Sequence, residues 1–543
     1  MIEQLPSERT PLLTSAAHWE PEAAASRNTS AAAPLDASDD DDWKPTWNLR
    51  LIQSVTWCNV FLAGFDSTVA ASTYSIIGSE FGSANNAVWV STSYLITATA
   101  FQPLYGRLSD IFGRRKAFLL ATSTFALGCL LCGLAKSMLV LNLSRALTGI
   151  GGGGLITMAT IVLSDGVPFH RRGLYQSANN LMYGLGSAAG ASVGGIVAHT
   201  FGWRSAFLLQ VPMAIAAVFG GWALVKDPAV RSLPADAPVD VAGSVTLVGA
   251  ITSLLLGLSM GGNELDWTSP ITIALFIAAL GLFGLFYRVE TRAIAPILPS
   301  RMLKGTLAIS NIITNFTSGM AVYGFLFMAP MYFLGVLLEP INIVGLRLIV
   351  PSLGFPIGAV IAGVVMSKYG HLSVLVKSGC AILILGLVIP WFLFGETKPR
   401  IGIIYLFALL PANIGQGLIN PSSLFTMLAA YPHDDQAVAT STVYLCRSVG
   451  NVAGVALSAA ILQKWLRTWL PEVLKDTQDA DQIVDAVRHS IEVIQGLPPA
   501  TRTKVTETLS GGIQAAISAC IVLSILAFIS SFWARGVGMQ RSS

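Results

Sequence analysis

Apolar residues fall along this chain in long blocks separated by short polar connections. A helix rising about 1.5 Å per residue needs about 20 apolar residues to cross the hydrocarbon of a bilayer. Fourteen stretches meet that length, at 51–77, 87–105, 117–135, 138–164, 174–200 and 204–225, then 239–260 and 270–288, then 305–334, 343–366, 374–394, 401–429, 437–463 and 513–533. The pattern predicts an all-α membrane protein with its spans grouped as six, two and six. An even number of spans puts both termini on one side.

Lysine and arginine in short connections mark the cytosolic face of a membrane protein. Arg107, Arg114, Arg115 and Lys116 follow the second span, Arg171 and Arg172 the fourth, and Lys226 and Arg231 the sixth. Arg288, Arg292, Arg301 and Lys304 follow the eighth, and Lys368 and Lys377 flank the connection after the tenth. The opposite connections hold mainly Lys136, Arg204, Lys398 and Arg400, so both termini are predicted to be cytosolic. The expected organisation is a disordered arm at 1–50, a first six-helix bundle at 51–225, a linker at 226–304 carrying the two extra helices, a second bundle at 305–533, and a short tail at 534–543. The connection at 464–512 is predicted as a long loop on the far side, with Trp465 and Trp469 as interfacial anchors.

Composition supports a bilayer as the solvent of this fold, because 53% of the 543 residues are hydrophobic and only 12% are charged. A net charge of +3 provides no broad basic surface, which argues against nucleic acid as a partner. All six cysteines (Cys58, Cys129, Cys132, Cys380, Cys446 and Cys520) sit in apolar stretches, so neither a disulfide framework nor a metal site is expected. Cys129 and Cys132 form a CxxC with no second pair or nearby histidine, which reads as inert. No GxxxxGK[ST], HExxH or GxSxG occurs, so neither an ATP-driven pump nor a hydrolytic enzyme is expected. The arm at 1–50 is polar, with an acidic run from Asp39 to Asp42 and no secretory signal pattern. Within it, Glu8 followed by Leu12 and Leu13 has the acidic dileucine form that sorting adaptors read.

The chemistry lies in a few costly residues. After the second span the chain reads Gly106-Arg107-Leu108-Ser109-Asp110-Ile111-Phe112-Gly113-Arg114-Arg115-Lys116. Gly106 and Gly113 permit close approach and a tight turn, and Asp110 can meet a helix N-terminus or an arginine. Asp66 lies about midway along the first span and Arg145 inside the fourth. A charge at that depth must face a cavity or a partner, the alternative for Arg145 being to snorkel to the surface. An ionised Asp66 costs several kcal/mol unless it is paired or hydrated, and proton uptake would neutralise it. The competing reading makes Asp66 a fixed partner of Arg145. Gly186, Gly190 and Gly194 recur every four residues, forming one smooth helix face. Arg447 is a further intramembrane charge, followed by Gly450 and Gly454. Tyr94, Asn179, Asn180, Asn311, Asn315 and Asn413 either line a substrate path or bond helix to helix.

The loop Gly106–Lys116 resembles the G-x-L-x-D-x-x-G-R-[RK] signature of the major facilitator superfamily, in which it acts as a conformational latch. Arg145 with Gly149 and Gly151 resembles that family's R-x-x-x-G-x-G, and Gly202-Trp203-Arg204 with Phe207 its G-W-R-x-x-F. Phe65-Asp66-Ser67-Thr68-Val69 resembles the L-D-x-T-[IV] signature of its fourteen-span drug:proton antiporters. One departure is Ala191, where the antiporters carry a proline after the middle glycine. Gly363, Ser367, Lys368 and Gly370 are similar to a weaker second latch, as an internal repeat would leave. The resemblance implies two six-helix bundles and a secondary transporter, driven by a proton gradient with no cofactor and working as a monomer in the lipid bilayer.

Within the branch, the dileucine, the segment from Trp89 to Tyr94 and the long connection before the last span resemble fungal vacuolar basic amino acid transporters. That implies lysine, arginine or histidine as the small-molecule substrate. The implied roles are coupling or substrate binding for Asp66, Arg145, Arg447, Tyr94, Asn179 and Asn311, and latching for Gly106, Asp110, Gly113, Arg114 and Arg115. The alternatives are a drug or secondary-metabolite exporter at the plasma membrane, and a nutrient receptor that has lost transport.

Overall fold

The computed structural model describes residues 44–81, 89–227, 240–261, 265–293, 296–395, 402–475, 480–489 and 491–534. The dileucine residues Glu8, Leu12 and Leu13 lie outside the described residues, as do the acidic run and Arg231, Lys398 and Arg400. The first half comprises α1 (Trp47–Glu80), α2 (Trp89–Phe112), α3 (Arg114–Leu134) and α4 (Met138–Gly166). It is completed by α5 (Phe169–Ala189, continued through a π-helical turn at Gly190–Gly194 into Gly195–Phe201) and α6 (Trp203–Leu208 with Gln210–Leu224). The linker pair is α7 (Val241–Met260) and α8 (Pro270–Glu290). The second half comprises α9 (Thr306–Gly335), α10 (Ile341–Ser352 with Gly354–Tyr369), α11 (Leu372–Phe394), α12 (Gly402–Leu428), α13 (Gln436–Val473) and α14 (Pro499–Ser531). No strand occurs among the described residues.

Ten of these helices are long and apolar enough to cross a membrane. In lipid every backbone group must be bonded within the chain, which long helices accomplish on their own. Their outward faces carry large apolar side chains such as Leu139, Phe219, Ile277, Leu280, Val374 and Phe392, all exposed on the isolated protein. Lipid tails are as apolar as leucine, so helix association depends on close packing rather than on hydrophobic burial. Glycines supply that approach. Gly151 and Gly154 of α4 lie against Ala121 and Phe125 of α3, while Gly149 and Gly153 lie against the α2 backbone at Tyr94 and Ala98.

Two boundaries differ from the sequence expectation. The first helix begins at Trp47, inside the arm expected at 1–50. The far-side segment expected as a long loop at 464–512 is largely helical: α13 runs on to Val473, a short helix occupies Ala480–His489, and α14 starts at Pro499. Charged residues such as Lys464, Arg467 and Lys504 lower the apolar score of this segment without breaking the helices. One face still packs, since Leu466, Leu470, Val487, Ile494, Val505 and Leu509 join the core around Tyr332 and Phe333. The rings of Trp465 and Trp469 lie against each other tilted by 41°, with centroids 5.7 Å apart, and Trp465 also packs on Gly511 and Gly512 of α14.

The linker pair packs on the first half and on the second. Leu247, Ile251 and Leu255 of α7 share a cluster with Ile96, Ala100 and Leu104 of α2 and with Leu445 of α13. The two extra helices therefore cover a seam between the halves.

Candidate functional site

The first half holds a buried ion pair. Arg145 Nη1 donates to both Asp66 oxygens at 2.9 Å, and its Nε donates to Val90 O at 2.9 Å. Gln210 Nε2 adds a longer bond to Asp66 Oδ1 at 3.4 Å. The guanidinium lies 4.5 Å from the centre of the Tyr94 ring and 5.5 Å from that of Phe207. Four helices thus converge on one carboxylate. The pair faces the protein interior and not the lipid, which excludes snorkelling for Arg145. It is also sealed: the side chains of Arg145 and Asp66 are 1% and 0% exposed. The acidic-partner expectation for Arg145 holds in this conformation, and solvent does not reach either group. Sequence reading missed Gln210 as a partner, although a glutamine inside an apolar span is a signal of the same kind as Asp66. The neighbouring Cys129 and Cys132 are free and buried.

The loop between α2 and α3 forms a charge network. Gly113 turns with φ +94°, a conformation that L side chains rarely adopt, and so lets α3 start directly after α2. Asp110 accepts from Arg114 at 2.7 Å, with Arg107 3.8 Å away. Arg114 also donates to Asp165 at the end of α4 at 2.8 Å. The backbone N–H of Arg115 donates to Asp227 Oδ1 at 3.1 Å, tying the network to the chain leaving α6. Gly106 lies against Ser441 and Ala437 of α13 in the other half, so a larger residue there would push the halves apart.

Hydrogen bonds between the halves gather toward this same basic face. Arg172 donates to Gln436 at 2.8 Å, Ser177 Oγ donates to Ala359 O at 2.6 Å, and the Thr160 and Tyr444 hydroxyls lie 2.9 Å apart. Deeper along the helices, Ser448 donates to Gln102 Oε1 at 2.9 Å. Phe169 and Phe425 add an edge-on ring contact across the seam at 6.1 Å. The halves are closed on the face that carries the latch.

Glycine ridges repeat in both halves. Gly186 and Gly190 of α5 lie against the carbonyls of Phe61 and Phe65 on α1. Gly194 meets the Val69 side chain. Gly450 and Gly454 of α13 lie in the same way against the carbonyls of Phe316 and Met320 on α9. The π-helical turn at Gly190–Gly194 falls where the antiporters carry proline, so a widened turn stands at the position of that missing residue.

In the second half Arg447 donates through Nη2 to Asn315 Oδ1 at 2.8 Å and to Asn420 O at 3.0 Å, with the Tyr444 ring 5.5 Å away. Asn311 braces Asn315: Asn315 Nδ2 donates to Asn311 Oδ1 at 2.8 Å, while Asn311 Nδ2 donates to Ser423 O at 2.7 Å. Asn413 bonds within its own helix, to Leu409 O at 3.2 Å. Asn179 is buried with neither amide atom bonded among the described residues. Asn420, Ser423, Gln416 and Tyr444 belong to this cluster and were not read from the sequence as site residues.

The comparisons agree with this architecture. Residues 56–455 match the Major Facilitator Superfamily profile. The chain is 40% identical over 408 residues to vacuolar basic amino acid transporter 2 of Saccharomyces cerevisiae, covering 73% of this chain and 85% of that protein. It is 36% identical over 492 residues to multidrug resistance protein fnx1 of Schizosaccharomyces pombe, covering 90% and 92%. Among solved structures, the proton:xylose symporter XylE bound to 6-bromo-6-deoxy-D-glucose has a similar fold, with TM-score 0.55 and 16% identity over 84% of this chain and 98% of that one. A latch around Asp110, a charged pair between α1 and α4 and matched glycine ridges in two six-helix halves accompany these matches, and the chain belongs to the major facilitator superfamily of membrane transporters.

Proposed function

We propose that this transporter exchanges protons for basic amino acids, loading lysine, arginine or histidine from the cytosol into the vacuole, with the latch face and both termini on the cytosolic side. The observation that carries the reading is the Asp66–Arg145 pair, buried at the junction of α1, α2, α4 and α6. Similarity to vacuolar basic amino acid transporter 2 supports the substrate and the compartment.

Protonating Asp66 removes the charge that Arg145 answers, and a buried guanidinium left alone is costly. A proton can therefore arrive only together with a rearrangement of α1 against α4. That is the coupling an exchanger needs: proton binding and helix movement are one event. In this reading the proton reaches Asp66 from the acidic lumen once the far side opens.

The test is uptake of labelled arginine, lysine and histidine into vacuolar membrane vesicles, with and without an imposed pH gradient. Wild type accumulates at least one of them only with the gradient; accumulation that ignores the gradient would refute coupling. A second reading, efflux of drugs across the plasma membrane, is favoured by the similarity to multidrug resistance protein fnx1. It predicts drug sensitivity on deletion with unchanged vacuolar amino acid pools.

A further inference from the structure

Arg447 is an intramembrane cation with no anion to answer it among the described residues. It stands eleven residues after Gln436, the start of α13, which places it about 16 Å along the helix and near mid-bilayer. Its Nε and Nη2 both donate to Asn315 Oδ1, at 3.3 and 2.8 Å, and Nη2 reaches Asn420 O at 3.0 Å. Both acceptors are neutral. Among the described residues no carboxylate lies within ion-pair distance of Arg447, and its Nη1 has no hydrogen-bond partner. The contrast with Arg145 is direct, since there the same guanidinium chemistry is answered by both oxygens of Asp66.

The surroundings hold this cation in place without neutralising it. Asn315 Oδ1 also accepts from Ser423 Oγ at 3.1 Å, and its Nδ2 is committed to Asn311, so the amide cannot turn away. On α12, Gln416 Nε2 donates to Asn420 Oδ1 at 2.8 Å, while Gln416 Oε1 is buried with no partner. The two free N–H groups of Arg447 Nη1 and an orphaned acceptor one turn from Asn420 thus occur in the same cluster. Arg447 precedes Gly450 by three residues as Tyr183 precedes Gly186, so the two occupy repeat-related places in the halves. Tyr323 of α9 lies close enough to interact electrostatically with both, and is 40% exposed although far from either helix end. Arg447 and Tyr183 are partly exposed as well. These three side chains are thus not sealed within packed protein.

We propose that Arg447 receives the carboxylate of the transported substrate, which makes the substrate class α-amino acids and excludes amines that lack an acid group. The proposal rests on the transport reading above and sharpens it. A carboxylate can accept from the free Nη1 of Arg447 as Asp66 accepts from Nη1 of Arg145, and it cancels the uncompensated charge. A cationic side chain then points away from α13, because Arg447 repels it. An amine without the carboxylate leaves Arg447 unanswered and adds a second positive charge.

The test compares arginine with agmatine, its decarboxylated form, and leucine with isoamylamine. Binding to the purified full-length protein is measured by thermal shift and by competition against labelled amino acid. Wild type is expected to bind arginine at least 30-fold more tightly than agmatine, the order expected when one partner of a desolvated, hydrogen-bonded charge pair is removed. Arg447→Gln should erase that preference, with Arg447→Lys recovering part of it. Asn315→Asp supplies a built-in carboxylate of the same shape and should erase it too while keeping the fold, as read by a monodisperse elution profile. Equal binding of arginine and agmatine by wild type would overturn the carboxylate site while leaving the basic amino acid reading in place. A preference that survives in Arg447→Gln would overturn it as well. If leucine is preferred over isoamylamine while neither arginine nor agmatine binds, the carboxylate site stands and the basic substrate falls. If no amino acid binds, both fall.

Discussion

At the scale of single residues, the sealed pair changes what one substitution will do. Asn at position 66 keeps the shape but leaves Arg145 buried and unanswered, a loss on the order of 3–5 kcal/mol for a broken buried pair. Asp66→Asn should therefore lower thermal stability as well as abolish gradient-driven uptake. The double variant Asp66→Asn with Arg145→Gln removes both charges, so it should regain most of the stability and none of the coupling. Thermal unfolding of the three proteins in detergent checks the first point and vesicle uptake the second; a double variant as unstable as the single one would mean that the pair is not the source of the loss. Asp66 and Arg145 were legible in the sequence as charges at forbidden depth. Their pairing was one of two readings the sequence left open, whereas the part of Gln210 and the sealing of the pair were not legible, because these facts depend on how four separate helices are packed.

At the scale of elements, α1 against α5 is a contact built on missing side chains. A β-carbon on Gly190 would run into the Phe65 carbonyl and the Thr68 hydroxyl. Gly190→Val should cost roughly 1–3 kcal/mol by overpacking and slow transport more than it weakens binding. Gly281→Val on α8 is the control, since nothing lies near its β-carbon, and it should change neither. Comparing Vmax and KM for the two variants decides this. On the far side, Glu80 at the end of α1 accepts from Trp203 Nε1 at 2.6 Å and from Arg204 at 2.7 Å. Those bonds, Arg204 first, hold its carboxyl below the usual carboxylate range. A lowered folded-state value gives a stabilisation that is present above the unfolded-state value and is lost as pH falls through the folded one. This clamp should thus survive moderate acidity and fail in strong acid. A melting temperature that drops at low pH in wild type but less in Glu80→Gln would show it. The repeating glycines were readable as ridges, whereas the π-helical turn at Gly190–Gly194 had no sequence signal beyond Ala191 in place of proline.

At the scale of the whole molecule, transport requires the seam at the latch face to open. Ser177 and Ala359 meet across it, so a pair of cysteines at those positions joined by a short bifunctional reagent should arrest uptake. Cleaving the bridge should restore it. Uptake that continues in the bridged protein would mean that α5 and α10 need not separate. Gly106→Val acts in the opposite sense, pushing α2 from α13 and favouring the conformation open at that face. Accessibility of Ser441→Cys to a membrane-impermeant thiol reagent should then rise. The linker pair is expected to ride with the seam, because α7 touches α2 and α13 together.

The order and length of apolar blocks, with the basic loops between them, determine an all-helical membrane chain of two bundles and an inserted pair, since the bilayer imposes those constraints locally. The motifs Gly106–Lys116 and Gly202-Trp203-Arg204 carry the family, because turns and latches are written in contiguous residues. What only the tertiary structure decided is which charges are answered. Asp66 and Arg145 are remote in sequence and bonded in space, while Arg447 resembles Arg145 in sequence and finds only amides. Depth in the membrane is a property of one helix, but a counter-charge is a property of the helix beside it.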